Sequence, residues 1–590
     1  MRSLACVQIT IAMHRALETA GTVLIKVLAV GSLLALGFVV FFIVREALPL
    51  FQTVGLFDFL FGTRWMPVDF GSGVSFGIFN FIAATLAVSL LALAFAMLVG
   101  LGAAIFLSSI ENKRVRAFAY PFIDLLAGVP SVIYGFVGLL VVAQMFMKAG
   151  VSTGLCVLAA SLVLAVMILP FLVSSCSESL LRERDSYLVS AQALGVSRWT
   201  AMATIALPAA LRNILLSLVL AIGRAMGETM AVMMVIGNAN VFPTLLGKGE
   251  TIPSVIALEM GTAVAGSDHY HALFAAGMVL MVMVLAINIL VAFLRNRLLR
   301  THRGGGLGGH GGRHIGFVVH AWAVLGAVLT AAAILFLFGY VFWRGASTIS
   351  WEFLTQPPSG MILGQEGGIA PAIAGSFAFT ACAVVLGGIP AIACALFVTF
   401  YVRGRRSAGA IRLIVQCIAG VPSIILGLFA YSFLVRDLEW GRCVLSAGVA
   451  LAVMVMPFIE VRAEKAFSEL PANTMQAAYA LGCSRLHVIR TIVLPACRGE
   501  LVSGIILGAC YALGATAPLL FTGGVAYASM PTNIMEPAMA LPLHLYLLVA
   551  QGTTSLDTAF GTAFVMMALI LVSNALATAY AHISGKSWRM

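Results

Sequence analysis

The sequence predicts an all-α integral membrane protein made of two tandem six-helix halves, and three observations predict it. Of its 590 residues 61% are hydrophobic and only 10% charged, whereas soluble domains carry about 25% charged residues. The chain also repeats itself. Residues 193 to 208 read Ala-Leu-Gly-Val-Ser-Arg-Trp-Thr-Ala-Met-Ala-Thr-Ile-Ala-Leu-Pro, and residues 480 to 495 read Ala-Leu-Gly-Cys-Ser-Arg-Leu-His-Val-Ile-Arg-Thr-Ile-Val-Leu-Pro, an offset of 287 positions. Between the copies, Thr301 to His314 contains seven glycines and no apolar pattern, the composition of a flexible tether.

A helix needs roughly 20 apolar residues to cross about 30 Å of hydrocarbon. Runs of that kind fall near 20–44, 78–108, 119–147, 152–173, 205–237 and 272–294, then near 315–342, 370–400, 411–434, 443–460, 500–522 and 558–583. They define a cytoplasmic lead-in at 1–20, a first half at 21–300, a linker at 301–316 and a second half at 317–590. The lead-in contains Arg2, His14, Arg15 and Glu18 before an uncleaved-looking span, so it does not read as a signal peptide. A β-barrel is excluded, because its strands are about 10 residues long and alternate polar with apolar.

The net charge of +11 does not point to nucleic acid, whose binders gather Lys and Arg on one solvated face. Here the cations fall in alternate short loops, with Lys113, Arg114 and Arg116, then Arg182, Arg184 and Arg198, then Arg295, Arg297 and Arg300. The second half repeats the pattern with Arg403, Arg405 and Arg406, then Arg462, Lys465, Arg485 and Arg490. The positive-inside rule makes these loops, both termini and the 295–316 join cytoplasmic. The ten cysteines show no paired spacing and read as small hydrophobes in helix packing. The linker histidines have nothing to fix a metal geometry, and no metal site is expected.

The repeat extends further. Leu126-Ala127-Gly128-Val129-Pro130-Ser131 is answered by Ile418-Ala419-Gly420-Val421-Pro422-Ser423, and Leu169-Pro170-Phe171 by Met456-Pro457-Phe458. Each half has six spans and starts inside, so the repeat is parallel, and such an arrangement encloses a pathway between its halves. Asp124 and Gln416 precede the two prolines and read as capping or interhelical groups, with substrate contact the lesser option. Pro130 and Pro422 read as the shapers of broken helices.

The duplicated loop lies between the fourth and fifth spans of each half. Its anchors are Ala193, Gly195, Leu207 and Pro208 in one copy and Ala480, Gly482, Leu494 and Pro495 in the other. Physically this suits a short helix, a glycine-permitted turn and a second helix re-entering the membrane at a proline. A plain re-entrant loop with helix breakers is the bland alternative. Two copies in register favour a docking role, with a short amphipathic helix seated in a partner's groove. The chain has no Walker sequence, since Gly585-Lys586-Ser587 lacks its first glycine at Tyr580. Energy must come from another polypeptide or an ion gradient.

The fifth span contains Gly223-Arg224-Ala225-Met226-Gly227-Glu228-Thr229. An arginine at the centre of a span costs at least about 2.5–3.5 kcal/mol, so it needs a partner or a wet route. Arg224 and Glu228 are four apart, on one helix face, and can pair with each other. One reading is an ion pair that only orients helices. The functional reading is that Arg224 offers its planar fork of donors to a passing oxyanion, with Glu228 holding it when the path is empty.

The loop resembles the EAA signature of ATP-binding-cassette importer permeases, in which it forms the coupling helix held by the ATPase subunit. The namesake acid is missing, for Val189-Ser190-Ala191 and Gln476-Ala477-Ala478 occupy its place. More specifically, the run from Gly223 to Ala231 with Ile236-Gly237-Asn238 resembles one permease subunit of the Pst-type high-affinity phosphate importer. Gly514-Ala515-Thr516-Ala517-Pro518-Leu519-Leu520-Phe521-Thr522 resembles its partner subunit, and Phe76-Gly77-Ile78-Phe79 and Gly367-Gly368-Ile369-Ala370-Pro371 resemble the starts of their translocating domains.

The resemblance implies a type I ATP-binding-cassette importer permease fold with both subunits fused, in a bacterial inner membrane. It implies a phosphate path at Arg224, Glu228, Thr229, Tyr511 and Thr516, and ATPase-coupling loops at the eight anchors above. The expected partners are an ATPase dimer, which binds the ATP and Mg²⁺, an extracytoplasmic phosphate-binding protein, lipid and a phosphate-signalling regulator. The chain itself is expected to be no enzyme and to hold no cofactor. The family places Arg and Glu in both fifth helices, but Tyr511 and Ala515 stand there in the second half, which predicts a path dominated by the first half. A proton-coupled secondary oxyanion carrier and a phosphate-sensing scaffold are the competing functions.

Overall fold

The computed structural model describes residues 2–69, 71, 73–110, 112, 123, 128–301, 312–402, 404–552 and 556–586. Among them are 11 helices long and apolar enough to cross a membrane, or 12 when one bent pair counts as a span. The chain is a multi-pass membrane protein that is mostly helical, with two short antiparallel pairs, Trp65–Met66 with Ser75–Phe76 and Pro358–Ser359 with Glu366–Gly367. Its first half runs through α1 (Arg2–Ala47), α2 (Phe79–Ser109), α3 (Ser131–Val137), α4 (Val157–Ala193), α5 (Arg198–Ala201), α6 (Leu207–Met226), α7 (Met230–Ile236) and α8 (Asp268–Thr301). The second half follows with α9 (Gly312–Gly345), α10 (Ala370–Leu396), α11 (Arg405–Ala419), α12 (Ser423–Ala430) and α13 (Val444–Ser468). It ends with α14 (Ala472–Ala480), α15 (Arg485–Val488), α16 (Leu494–Leu513), α17 (Ala517–Thr522) and α18 (Leu556–Lys586). Thr301 and residues 312–316 are helical, and the rest of the predicted linker lies outside the described residues.

Small residues four apart make the central helix pairs. Along α2 the buried positions Ala84, Val88, Ala92, Ala96, Gly100 and Ala104 form a stripe that packs on α4. Along α10 the stripe is Ala372, Ser376, Thr380, Gly387, Ala391 and Ala395, facing α13. In lipid no hydrophobic force joins two apolar helices, so close backbone approach has to do it. At Gly387 a Cβ would lie 2.6 Å from the Ala452 carbonyl oxygen.

The first helix of each half packs on the other half. The spans of α1 and α9 are only 28% buried, against 72% for those of α4 and α13, so both first helices are peripheral. Trp322 on α9 donates its Nε1–H to the Leu98 carbonyl on α2 at 2.8 Å. Near the same crossing a Cβ on Gly326 would meet the Val99 carbonyl oxygen at 2.5 Å. At the opposite pole Arg436 donates to the Glu46 carboxylate at 2.9 Å and to the Tyr270 hydroxyl at 2.7 Å, again joining the halves.

The crossing at Gly326 makes a first prediction. Gly326→Ala lowers the thermal midpoint of the detergent-purified protein, because forced overpacking costs about 1–3 kcal/mol. Gly339→Ala, on the same helix with nothing within 4 Å of its Cβ position, leaves the midpoint unchanged or higher. Equal midpoints would mean that the α9–α2 contact is not tight.

The third span of the second half and both fifth spans differ from single uninterrupted helices. Arg406–Ala419 and Ser423–Asp437 meet at 86°, because a residue before proline is driven out of the helical region and Val421 precedes Pro422. The predicted spans 205–237 and 500–522 are each broken. α6 stops at Met226 and α7 starts at Met230, while α16 stops at Leu513 and α17 starts at Ala517.

Candidate functional site

The two fifth-span breaks meet the two Val-Pro-Ser bends of the opposite half. A Cβ on Gly227 would lie 3.0 Å from Pro422, and a Cβ on Gly514 would lie 3.0 Å from Pro130. These reciprocal contacts place the junction of the halves on a pseudo-two-fold axis. At that junction lies a cavity of about 470 Å³, within the usual range for small-ligand sites of roughly 300–1,000 Å³. All five residues expected on the path line it: Arg224, Glu228, Thr229, Tyr511 and Thr516. Gln416 lines it as well, whereas Asp124 lies outside the described residues.

The break corrects the expected pairing. Glu228 falls in the irregular link between α6 and α7, so it is not one helical turn from Arg224, and no Arg224–Glu228 ion pair occurs among the described residues. The Glu228 carboxylate instead accepts from the Ala231 backbone N–H at 3.5 Å, turned toward the start of its own short helix. Arg224 makes no hydrogen bond or ion pair within the described chain, and its donors remain available to the cavity. Thr229 and Thr516 are each 2% exposed, and both hydroxyls lack a protein partner. Buried polar atoms without partners are uncommon. Arg224, Thr229 and Thr516 thus line a single cavity, and an unpartnered guanidinium there can take a tetrahedral oxyanion by charge-assisted hydrogen bonds.

The coupling-loop anchors gather at one pole, the loop face. α4 ends in a Schellman turn, in which Val196 N–H bonds the Ala191 carbonyl at 3.1 Å and Gly195 takes φ +78°. The second copy matches it, with Cys483 N–H on the Ala478 carbonyl at 3.1 Å and Gly482 at φ +79°. Ser197 and Ser484 then cap α5 and α15, accepting from the Thr200 and His487 backbone N–H groups. A π-turn follows in each copy, Met202–Ala206 and Ile489–Val493, as Pro208 and Pro495 remove an amide from the helical ladder.

Ala193, Gly195, Pro208, Ala480 and Gly482 are exposed, while Leu207, Leu494 and Pro495 are half-buried against the body of the protein. Sequence reasoning missed the residues at the tips. Leu194 and Leu481 are 83% and 84% exposed, and the signal was the Leu of each Ala-Leu-Gly triplet. Each of these loops is braced by the first helix of the other half. Trp199 packs on His320 with ring centroids 4.3 Å apart, and Ser484 Oγ donates to the Glu18 carboxylate.

Such a duplicated helical body, with a cavity at its seam and two braced loops at one pole, has the type I permease fold of ATP-binding-cassette importers. The chain belongs to the family of binding-protein-dependent transport system inner membrane components, whose pattern it matches twice, over residues 96–300 and 387–589. Members of this family are transport components that work with an ATPase and a substrate-binding protein. Among its relatives is the phosphate transport system permease protein PstC of Xylella fastidiosa, 34% identical over 277 residues covering 43% of this chain and 82% of the relative. Another is the "Probable phosphate transport system permease protein PstA" of Methanocaldococcus jannaschii, 33% identical over 208 residues, 35% of this chain and 73% of the relative. A phosphate transport system permease protein PstA homolog of Mycoplasma pneumoniae aligns over 580 residues at 23% identity, covering 85% of this chain and 86% of its own length.

Proposed function

We propose that this chain carries the two permease halves of an ATP-driven importer for inorganic phosphate, fused through the 301–316 linker. The observation that carries the reading is the seam cavity, lined by Arg224, which has no hydrogen-bond or ion-pair partner within the described chain, together with Thr229 and Thr516. The relatives named for phosphate transport support the choice of anion. The chain sits in a bacterial inner membrane with both termini and the loop face cytoplasmic, as the charge pattern of its loops argues. The path residues are Arg224, Glu228, Thr229, Tyr511 and Thr516. An extracytoplasmic phosphate-binding protein delivers the anion to the far face. A separate ATPase dimer binds ATP and Mg²⁺ and grips the loops at Ala193, Gly195, Leu207 and Pro208 and at Ala480, Gly482, Leu494 and Pro495. A phosphate-signalling regulator is a further candidate partner.

In this mechanism the chain performs no covalent chemistry. Drawing the two loops together rocks the halves about their shared seam, since each loop is braced by a helix of the other half. Arg224 holds the anion by charge-assisted hydrogen bonds, and the two threonine hydroxyls supply neutral contacts that release it readily. Glu228, held near its own backbone, sets an acidic side chain in the wall beside the guanidinium. The test is phosphate accumulation in vesicles reconstituted with the ATPase and the binding protein. ATP-dependent accumulation is expected. Uptake that persists without the ATPase and collapses with the proton gradient would replace this reading with a proton-coupled carrier, and no accumulation would favour a sensing scaffold.

A further inference from the structure

The cavity wall contains a cation that the fifth helices do not supply. Along α13 the lining residues Met454, Pro457, Phe458, Val461 and Arg462 follow one helix face. In the first half Met167 and Phe171 line the cavity at the matching places, 287 positions earlier, but Ser175 stands where Arg462 does and opens into a separate, smaller pocket. The halves therefore differ twice, in a compensating way: Arg224 corresponds in position to Tyr511 on the fifth helices, and Arg462 corresponds to Ser175 on the fourth.

Arg462 is exposed to the cavity and makes no ion pair or hydrogen bond within the described chain. Its stem lies over Gly504 of α16, where a Cβ would come within 3.4 Å of the Arg462 Cβ. One turn further toward the loop face, Lys465 Nζ lies 3.9 Å from the Glu178 carboxylate of the other half. Lys465 and Glu178 are equivalent positions of the two halves, so their meeting marks the seam, and residues three apart share a helix face. Arg462 thus stands beside the seam between the mid-membrane breaks and the loop face. Among the described lining residues Glu228 is the one acid, and Arg224 and Arg462 are the two basic residues.

We propose that Arg462 is a second substrate-contacting cation, which replaces the charge absent at Tyr511 and receives the oxyanion from Arg224 on its way to the loop face. The proposal rests on the phosphate reading and adds to it a relay with one guanidinium from each half. An arginine is suited to this step because its donors match an oxyanion bidentately while its charge is independent of pH.

The experiment is phosphate uptake by vesicles containing the full chain, the ATPase and the binding protein, with ATP hydrolysis measured alongside. Arg462→Gln is expected to lower uptake at least tenfold while binding-protein-stimulated hydrolysis continues. Arg462→Lys keeps the charge but loses the fork, and is expected to fall between the two. Adding Tyr511→Arg to Arg462→Gln is expected to restore uptake in part, which a purely structural role for Arg462 would not permit. Uptake by Arg462→Gln within twofold of the native chain overturns the proposal and leaves the phosphate reading standing. If the native chain instead moves another oxyanion, the phosphate reading fails, and the same variants scored on that anion decide the relay.

Discussion

Arg224→Gln abolishes measurable phosphate uptake while the ATPase stays bound. Removing one partner of a buried, hydrogen-bonded charge interaction costs about 2–5 kcal/mol, and a tenfold change in an equilibrium corresponds to about 1.4 kcal/mol. The loss is therefore roughly 30-fold to a few thousandfold. Glutamine preserves much of the stem and a neutral donor, so the protein's packing is not the variable. The guanidinium makes no bond within the described chain, so no internal network is broken by the change. Uptake measured in reconstituted vesicles, with ATPase co-purification as the control for assembly, decides it. Undiminished uptake would remove the anion-contact role from Arg224, and loss of the ATPase along with uptake would turn the residue into a structural one.

Substituting both loop glycines releases the ATPase. Gly195 and Gly482 lie at φ +78° and +79°, and an ordinary L-residue in that region costs about 1–2 kcal/mol. Nothing lies within 4 Å of either Cβ position, so the penalty comes from the backbone and from the altered outer surface rather than from a clash. Gly195→Glu with Gly482→Glu both strains the turn and places a carboxylate beside the exposed Leu194 and Leu481. Association in pull-down is expected to fall at least tenfold. Asparagine tolerates the left-handed region, so Gly195→Asn with Gly482→Asn is expected to retain most of it. Full association of the glutamate variant would mean that the ATPase grips another surface.

Much of this architecture was legible from residue order alone, for reasons that can be named. Span number follows from hydrophobic length, because the bilayer sets one thickness for every crossing. The loop turns were readable because Gly195, Ser197 and Pro208 and their partners Gly482, Ser484 and Pro495 each have a narrow set of backbone roles: a left-handed turn, a cap and a missing amide. Arg224 stood out because a cation in an apolar run is costly enough to need a purpose. Where a proline forced a local break, as at Pro422, the bend was visible; where glycine and threonine permitted one, as at Gly227 and Thr229, it was not. The Arg224–Glu228 pairing was misread for that reason, since the spacing argument assumed an unbroken helix. Arg462 was read as a loop charge because it follows an apolar run, yet it extends back along the seam.

Residue order by itself determined the membrane class, the duplication, the paired turn-and-cap loops and the identity of the residues that line the seam cavity. These are properties of composition and of single residues, which the chain carries wherever it folds. Only the tertiary structure decided which groups share one cavity, that each first helix braces the opposite half, and that the second cation comes from the fourth helix instead of the fifth. Those are relations between segments hundreds of positions apart. They follow from how small-residue stripes and reciprocal proline–glycine contacts pack, and packing depends on shape in three dimensions that no local pattern encodes.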